Sequence, residues 1–252
     1  MKIEDCVAPL KYEEVRVGKA YLHEYKPGHF RLTHNHEQWM GYNSDNHWQC
    51  AEFLMEYNFA HGRCITTGIG LGIIQTFLLQ NPKVTEVVVY EKNEDVINLF
   101  KHIANKNNFD ISAITFVCKD ADDMKGEKAD CIFLDHWENH DFEQLVKRIR
   151  NIASNNETKI LWFWPAVLQF SRWRRRKLNL PINLETYQQW VKYIDIKNFP
   201  SDLTEEELEN IRILEKKYDE DSEWHLMAFR KQMEIRDNMR TQMLQNKKNF
   251  KS

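Results

Sequence analysis

The sequence predicts an α/β fold: a doubly wound, mostly parallel sheet with an N-terminal lid segment and a helical C-terminal extension. Between residues 61 and 170, β-branched and apolar runs of strand length alternate with amphipathic runs of helix length. Three of the eight glycines, Gly68, Gly70 and Gly72, stand within five residues between a strand-like run and a helix-like run. Such alternation is typical of parallel sheets whose strands are joined by helices.

The glycine cluster forms the turn between the first predicted core strand and the helix after it. Glycine lets the backbone adopt positive φ and approach a ligand closely, and the helix that follows begins with unpaired N–H groups. The dinucleotide fingerprint places its third glycine at the sixth position, which is Ile73 here, whereas Gly72 comes one residue earlier. This spacing disfavours NAD or FAD as the ligand. It still predicts that the loop binds another nucleotide-like cofactor.

Acidic residues recur where three of the later strands end. Glu91 lies nineteen residues past Gly72, and a carboxylate there can accept the hydroxyl protons of a ribose. Asp120 and Asp135 follow the next two strand-like runs, and open α/β sheets build their sites at the carboxyl ends of strands. We therefore expect these carboxylates to line one site. The predicted strands after the glycine loop span residues 84–90, 113–118, 129–134 and 159–164.

These motifs resemble those of class I S-adenosylmethionine-dependent methyltransferases. The resemblance covers roughly residues 60 to 140 and implies a Rossmann-like fold with S-adenosylmethionine as the cofactor. The three glycines would lie under the methionine part, the glutamate would bind the ribose hydroxyls, and an Asp-Ala pair would lie beside the adenine. The residues that carry the resemblance are Gly68, Gly70, Gly72, Glu91, Asp120, Ala121 and Asp135.

Two branches of this superfamily match different parts of the chain. The layout from about Lys19 to Asp135 is similar to the spermidine synthase-like branch, whose polyamine members have a base at the Asp135 position. The glycine loop of that branch usually contains an aspartate, and this loop contains none. The run from Phe133 to Trp137 is similar to catechol-type O-methyltransferases, in which the aspartate holds Mg²⁺ and the tryptophan lines the catechol pocket.

The catechol-type match is confined to that run. The lysine base of that family would fall at Glu138, and its Asp-Asn metal pair would fall within residues 159–165, which offer neither. We therefore expect no metal and no lysine base. The motif of amino-methyltransferases after the fourth strand, Asn or Asp followed by Pro-Pro and an aromatic residue, is also absent from the sequence.

Asp135 and His136 are the expected catalytic residues, and Trp137 is expected to contact the substrate. By the resemblance, Asp135 would lie near the reactive carbon of the sulfonium, where a carboxylate can accept a proton or steer an amine. Methyl transfer itself needs little beyond in-line positioning of the acceptor. The alternative is structural, since Asp120 and Asp135 can cap the following helices and His136 and Trp137 can pack their loop.

We expect methyl transfer to a small-molecule acceptor. The first alternative is aminopropyl transfer from decarboxylated S-adenosylmethionine, as in the spermidine synthase-like branch. The second is a scaffold that binds the cofactor without turnover and interacts through its helical C-terminal third. For the charged segment 231–252 two alternatives stay open: a helix that docks on a partner chain, which would allow a homo-oligomer, or a frayed tail.

The chain divides into three predicted parts. Residues 1–60 form a strand and helix segment, with strands at 14–22 and 29–32, a helix at 47–57, and Gln38–Tyr42 with the following turn as a lid over the cofactor. Residues 61–170 form the cofactor-binding core, in which Trp162 and Trp164 are expected to be core residues of the fifth strand. Residues 171–252 form the mostly helical extension.

Two helices of the extension carry clear start signals. Asn183 is the expected N-cap of one, and Thr204 with Glu207 forms a capping box before a helix at 205–217. A last edge strand is predicted at 224–230, with helix as the alternative.

The run from Arg172 to Lys177 contains five basic residues and one tryptophan. Such a patch can contact phosphates while the ring stacks on a base, which would suit a nucleic acid. The favoured alternative is a solvated turn of helix.

Composition limits the partners further. A net charge of −3 gives no general attraction to nucleic acid or anionic membrane. No apolar run approaches the roughly 20 residues of a membrane span, and the first residues lack the apolar core of a signal peptide. The five cysteines show no C-x-x-C spacing, which disfavours a zinc site. We therefore expect a cytoplasmic protein with no membrane partner.

Overall fold

The computed structural model describes residues 6, 8–43, 50–137, 141–177, 179–217 and 219. Within these residues the strands form one antiparallel and one parallel sheet. Glu138, the predicted strand at 224–230 and the segment 231–252 lie outside the described residues.

The antiparallel sheet precedes the glycine loop. Its described strands pair in chain order, and Leu22, Phe30 and Leu32 are buried on its inner face. The sequence predicts two strands here, and the described part of the structure has four. The predicted strand at 14–22 is divided into two antiparallel strands by a turn at Gly18, where φ is +56°. Met40 and Tyr42 pair with Leu32 and Phe30 in the fourth strand. The strands are β1 (Val15–Val17), β2 (Ala20–Lys26), β3 (His29–His34) and β4 (Glu37–Asn43).

The second sheet is parallel throughout its described strands, in the order β7-β6-β5-β8-β9. The chain runs from the central strand β5 to one edge and then returns to fill the other side, so a switch in direction lies between β5 and β8. Ligands bind at such points in open α/β sheets. The predicted Rossmann-like fold is confirmed. The strands are β5 (Gly62–Thr67), β6 (Val84–Tyr90), β7 (Ile114–Val117), β8 (Lys128–Leu134) and β9 (Glu157–Phe163).

Helices connect these strands and follow the apolar periodicity of the sequence. Two of them bury one apolar face each, and the helix that follows the glycine loop is buried over most of its length. The helices up to β9 are α1 (Leu54–Phe59), α2 (Ile73–Gln80), α3 (Glu94–Lys106) and α4 (Phe142–Asn155).

Two polar side chains, one on α3 and one directly after it, form hydrogen bonds with the backbone of the N-terminal segment that carries the antiparallel sheet. Asp95 accepts a bond of 2.9 Å from the backbone N–H of Lys19. Asn107, which follows α3, accepts from the N–H of Lys11 at 2.8 Å and donates to its carbonyl at 2.9 Å. These bonds hold the sheet over the carboxyl ends of the parallel strands.

The described C-terminal helices pack on β9 and on one another. Asn183 caps its helix by accepting from Thr186 N–H at 2.9 Å. The capping box also forms, because Thr204 N–H donates to Glu207 at 2.7 Å and Glu207 N–H donates to the Thr204 hydroxyl at 3.2 Å. The helices are α5 (Ala166–Arg176), α6 (Leu184–Ile194) and α7 (205–217), so that α5 crosses the boundary placed at residue 171.

Part of the basic run at the end of α5 holds α7 in place. Glu215 is buried, and it forms ion pairs with Arg174 and, at 2.8 Å, with Arg175. Arg172, Arg176 and Lys177 remain exposed. Among the described helices, none combines the length and apolar character needed to cross a bilayer.

Candidate active site

A cavity of about 400 Å³ opens at the carboxyl ends of β5, β6 and β8, facing the antiparallel sheet. It lies at the switch in strand order. Most of the residues that the sequence places in a site line it, whereas Gly72 does not. The lining residues among those predicted are Gly68, Gly70, Glu91, Asp120, Ala121, Asp135, His136 and Trp137, and Gln38–Gly41 of β4 lie opposite them.

The glycine loop reaches this cavity through three left-handed residues, with φ of +73° at Gly68, +53° at Gly70 and +77° at Gly72. A Cβ on Gly68 would lie 2.1 Å from the carbonyl oxygen of Asp135, and one on Gly72 would lie 2.0 Å from the ring of Phe100. Gly68 thus lets two loops touch, and Gly72 lets α2 begin close to α3. Gly70 instead faces the cavity, where its Cβ would approach Met40.

Glu91 is 6% exposed and is held rigidly. One carboxylate oxygen accepts from Ile69 N–H at 3.1 Å, and the other accepts from the backbone N–H of Asn93 at 2.9 Å and its side chain at 3.2 Å. A carboxylate offers about four lone-pair sites, so about one is left on the oxygen facing Ile69. That site fits one ribose hydroxyl; a second hydroxyl would have to displace the Asn93 side chain.

Asp120 and Ala121 form the next wall. Asp120 accepts from Asp122 N–H at 3.0 Å and so caps a short 3₁₀ helix at Ala121–Asp123. The capping role considered from the sequence is therefore present. Ala121 is buried against the core, where its small side chain leaves room beside the cavity.

Asp120, Asp122 and His136 bring ligand atoms within 4.8 Å of one another, which is close enough for a metal ion. The donor set does not fit a cation, because the guanidinium of Arg148 donates to Asp122 at 2.6 and 3.0 Å. A metal there would lie against a fixed positive charge.

His136 has both ring nitrogens in hydrogen bonds. Its Nε2 lies 3.1 Å from Asp122, and its Nδ1 lies 2.7 Å from the Thr67 hydroxyl. Burial lowers the pKa of His136, so the neutral ring donates from Nε2 and accepts at Nδ1. Neither nitrogen is then available as a base, which revises the expectation that His136 takes a proton from the substrate.

Asp135 is fixed by its backbone and presents its carboxyl group to the cavity. Its N–H donates to the Thr67 hydroxyl at 2.9 Å, so that one hydroxyl orients both Asp135 and His136. Burial, with a smaller contribution from the charge of Glu52, raises the pKa of Asp135 to about 7. A carboxyl group with such a pKa can take up and release a proton near neutral pH.

A group of acidic and aromatic residues beside Asp135 was not predicted from the sequence. Glu52 lines the cavity and accepts from the indole N–H of Trp164 at 2.9 Å. Glu56, four residues on, is hydrogen-bonded by the side chain of Trp162. The i, i+4 spacing of the two glutamates in an otherwise apolar run was the available signal. Trp162 is a core residue as predicted, whereas Trp164 lines the cavity.

Trp137 closes the cavity beside them. Its indole N–H donates to the carbonyl of Trp164 at 2.9 Å, its ring lies 4.3 Å from that of His136, and the Arg148 guanidinium lies 5.6 Å from it. Trp137, which is expected to contact the substrate, is therefore in contact with Trp164, His136 and Arg148.

Comparison with known proteins gives matches in structure alone. No protein-family model matches the chain, and no curated protein matches its sequence. Matching structures include spermidine synthase from Thermotoga maritima, at 12% identity and a TM-score of 0.44, over 59% of this chain and 55% of that one. They also include an S-adenosylmethionine-dependent methyltransferase from Clostridium acetobutylicum, at 14% identity and a TM-score of 0.32, over 42% and 45% of the two chains.

A further match is magnesium protoporphyrin IX methyltransferase from Synechocystis, in a structure with bound S-adenosylmethionine, at 18% identity and a TM-score of 0.35. It covers 46% of this chain and 57% of that one. In all three cases the match spans less than two thirds of the other chain. The strand order and the glycine turn at the end of β5 define the fold. It is a Rossmann-like fold. The resemblance inferred from the sequence holds at this level.

Proposed function

We propose that the protein binds S-adenosylmethionine in this cavity and transfers its methyl group to a small-molecule acceptor. The observation that carries the proposal is the Glu91 carboxylate, which is buried at the end of β6 and lines the cavity, and one of whose oxygens accepts a single bond from the described residues, that of the glycine loop. A ribose is the part of a nucleoside that such a group recognises. Gly70, which has no side chain to fill the space, supports close approach of the cofactor to the backbone.

The roles of the remaining residues follow from their contacts. Asp120 and Ala121 form the adenine wall, and Gln38–Gly41 cover the cavity as a lid that excludes water. When bound, S-adenosylmethionine supplies an electrophilic methyl group on a sulfonium. Asp135 accepts the proton that the acceptor must lose, and His136 is a positioning residue that acts through Thr67. Trp137 is a wall of the acceptor site.

Aminopropyl transfer is the second candidate function. It is favoured by the carboxylates of Glu52 and Asp135 in one cavity, because the tail of the decarboxylated cofactor is a cation without a carboxylate. The absence of an aspartate from the glycine loop weighs against it.

Calorimetric titration separates these candidates. The purified protein is titrated with S-adenosylmethionine, its decarboxylated form and NAD. We expect S-adenosylmethionine to bind most tightly. Preference for the decarboxylated form would favour aminopropyl transfer, and preference for NAD would contradict both readings. Binding without transfer to any acceptor would favour a scaffold.

Glu91→Ala should weaken S-adenosylmethionine binding by about 1.5 to 3 kcal/mol, because it removes a hydrogen bond to a charged group. The matched control is Glu94→Ala, which removes an exposed carboxylate three residues along the chain. Thermal melting of both variants checks the fold, since Ile69 N–H also loses its acceptor. Equal affinities in the two variants would contradict the assignment of the cofactor pocket.

A further inference from the structure

Three aromatic side chains form a row where α4, α5 and α6 meet. The ring of Tyr193 on α6 stacks on that of Phe142 at the start of α4, with 6.3 Å between the ring centres and 10° between the ring planes. The ring of Trp173 on α5 lies 5.9 Å from that of Tyr193. Tyr193 is 54% exposed, whereas its two neighbours are half-buried. The aromatic row (Phe142, Tyr193 and Trp173) therefore holds one ring in a set orientation and leaves much of it open to solvent.

The basic run of α5 borders this row. Residues three and four apart on a helix are neighbours, so Arg176 and Lys177 lie one turn from Trp173 on the same side of the helix. Both side chains are exposed, and the structure gives neither of them an ion pair or a side-chain hydrogen bond within its described residues. The two arginines before Arg176 are instead paired with Glu215. The run is thus divided into a part that holds α7 and a part whose charge faces solvent.

Positive charge also lies next to Tyr193. The guanidinium of Arg150 on α4 donates to the carbonyl of Ile194 at 3.0 and 2.6 Å. Asp141, which precedes Phe142, is engaged as the N-cap of α4. The exposed charged residues near the row in the chain are Arg172, Arg176, Lys177 and Lys192, with Glu143 and Asp195 of opposite sign. Cations are therefore in excess around the aromatic row, although the whole chain has a net charge of −3.

An open ring beside unpaired cations suits one class of partner. Single-stranded nucleic acids bind where bases stack on aromatic side chains and phosphates meet lysine and arginine. In a duplex the base faces are covered by stacking on one another. A membrane surface is bound by apolar side chains that enter the lipid, whereas the exposed ring here belongs to a tyrosine, and Trp173 is half-buried. The row is separate from the cavity, because none of its three rings lines it.

We propose that the aromatic row and the adjoining end of α5 bind single-stranded nucleic acid. An unpaired base stacks on Tyr193, and Arg176 and Lys177 bind the phosphates beside it. Phe142 and Trp173 are positioning residues that fix the Tyr193 ring. The inference gives the protein a second, macromolecular partner, and it does not depend on the cofactor or the acceptor of the cavity.

Fluorescence anisotropy with three labelled probes tests the proposal. The full chain is titrated with oligothymidine, with an abasic strand of the same length, and with a duplex of that length. We expect oligothymidine to bind about tenfold more tightly than the abasic strand, because the two probes share their phosphates and only the bases stack. Equal affinity for these two probes, tighter binding of the duplex, or no binding of oligothymidine would overturn the proposal. Binding to vesicles of anionic phospholipid without binding to oligothymidine would overturn it as well.

Tyr193→Ala is the decisive variant. We expect about a tenfold loss of affinity for oligothymidine and little change for the abasic strand, since the ring is removed and the cations remain. Tyr193→Phe should keep the affinity because it keeps the ring. The matched control is Tyr25→Ala on β2, which removes another exposed tyrosine and should change neither affinity. Thermal melting checks that each variant folds. Equal losses in Tyr193→Ala and Tyr25→Ala, or no loss in either, would contradict the proposal.

Salt dependence measures the part played by the cations. Binding of a single strand releases about 0.7 counterions for each phosphate that is neutralised, so the slope of log affinity against log salt reports such contacts. The double variant Arg176→Gln and Lys177→Gln should lower the magnitude of this slope by about 1.4. Lys83→Gln, which removes an exposed cation near the amino end of β6, should leave the slope unchanged. An unchanged slope in the double variant would overturn the assignment of Arg176 and Lys177.

Discussion

The two sides of the cavity are built from different kinds of structure. The side proposed to bind the cofactor (the cofactor side) consists of turned backbone at Gly68 and Gly70 and of a carboxylate, Glu91, that is bonded to nearby loops. The side proposed to bind the acceptor (the acceptor side) brings together side chains from distant parts of the chain, such as Glu52 and Trp164. The first side depends on close approach between loops, whereas the second depends on the charge of groups removed from water. Substitutions should therefore affect the two sides differently.

The largest effect is expected at Gly68. Gly68→Ala combines a left-handed residue with a Cβ 2.1 Å from a backbone oxygen of the opposite loop. We expect the left-handed conformation to cost about 1–2 kcal/mol of unfolding free energy and the clash to add about 1–3 kcal/mol. Urea denaturation measures the loss.

Gly126→Ala is the matched control for that substitution. Gly126 has φ of +74°, but nothing lies within 4 Å of its Cβ position. It should show the conformational cost without the clash. If the two variants lost equal stability, contact between the loops would not be what requires glycine at position 68.

A smaller effect, opposite in sign, is expected on the acceptor side. The pKa of Asp135 is about 7 in the folded state and about 3.9 in an unfolded chain, so the folded state binds the extra proton between these values. Stability therefore falls as pH rises from about 4 to 7. Asp135→Asn removes this loss and should raise the unfolding free energy at pH 8 by up to about 4 kcal/mol, with little change at pH 4.

Urea denaturation at the two pH values checks this expectation. The exposed carboxylate Asp123 provides the control, and Asp123→Asn should show little difference between them. A stability gain of the same size at pH 4 would show that the effect comes from packing and not from charge.

The smallest effect is expected at Thr67, which links the two loops. Thr67→Val leaves Asp135 N–H without its acceptor and His136 Nδ1 without its donor, at a cost of about 1–2 kcal/mol. Nitrogen NMR should also show the His136 ring losing its preference for the Nε2–H form. Thr76→Val is the control, because the Thr76 hydroxyl bonds only within α2. An unchanged ring in Thr67→Val would contradict the tautomer assigned to His136.

Local features of the sequence predicted the parallel sheet and most of the residues that line the cavity beside the glycine turn. A glycine turn, an acid at a strand end and a capping box are short patterns whose geometry is set by neighbours in the chain, and Gly68, Glu91 and Thr204 illustrate them. The site itself could be predicted only in part. Glu52 meets Asp135 through tertiary packing of segments 83 residues apart, and no local pattern records that contact.

Trp164 and β4 show two further reasons why the site could be predicted only in part. The run before Trp164 is apolar, which predicts burial, yet an indole can pack its ring and still donate its N–H to a polar group at a cavity wall. The segment Gln38–Tyr42 lacks clear alternation, and it forms a strand because β3 offers a paired edge. In both cases tertiary contacts decided the outcome.

Gly41 gives the covering strand an unusual property. It lines the cavity from β4, its φ lies outside the left-handed region, and no atom of the described residues lies within 4 Å of its Cβ position. A side chain there would enter open space without straining the backbone. The position is therefore suited to change by mutation: each added methyl group would narrow the chamber from above, so that relatives or engineered variants can become selective for smaller molecules while the parallel core beneath stays the same.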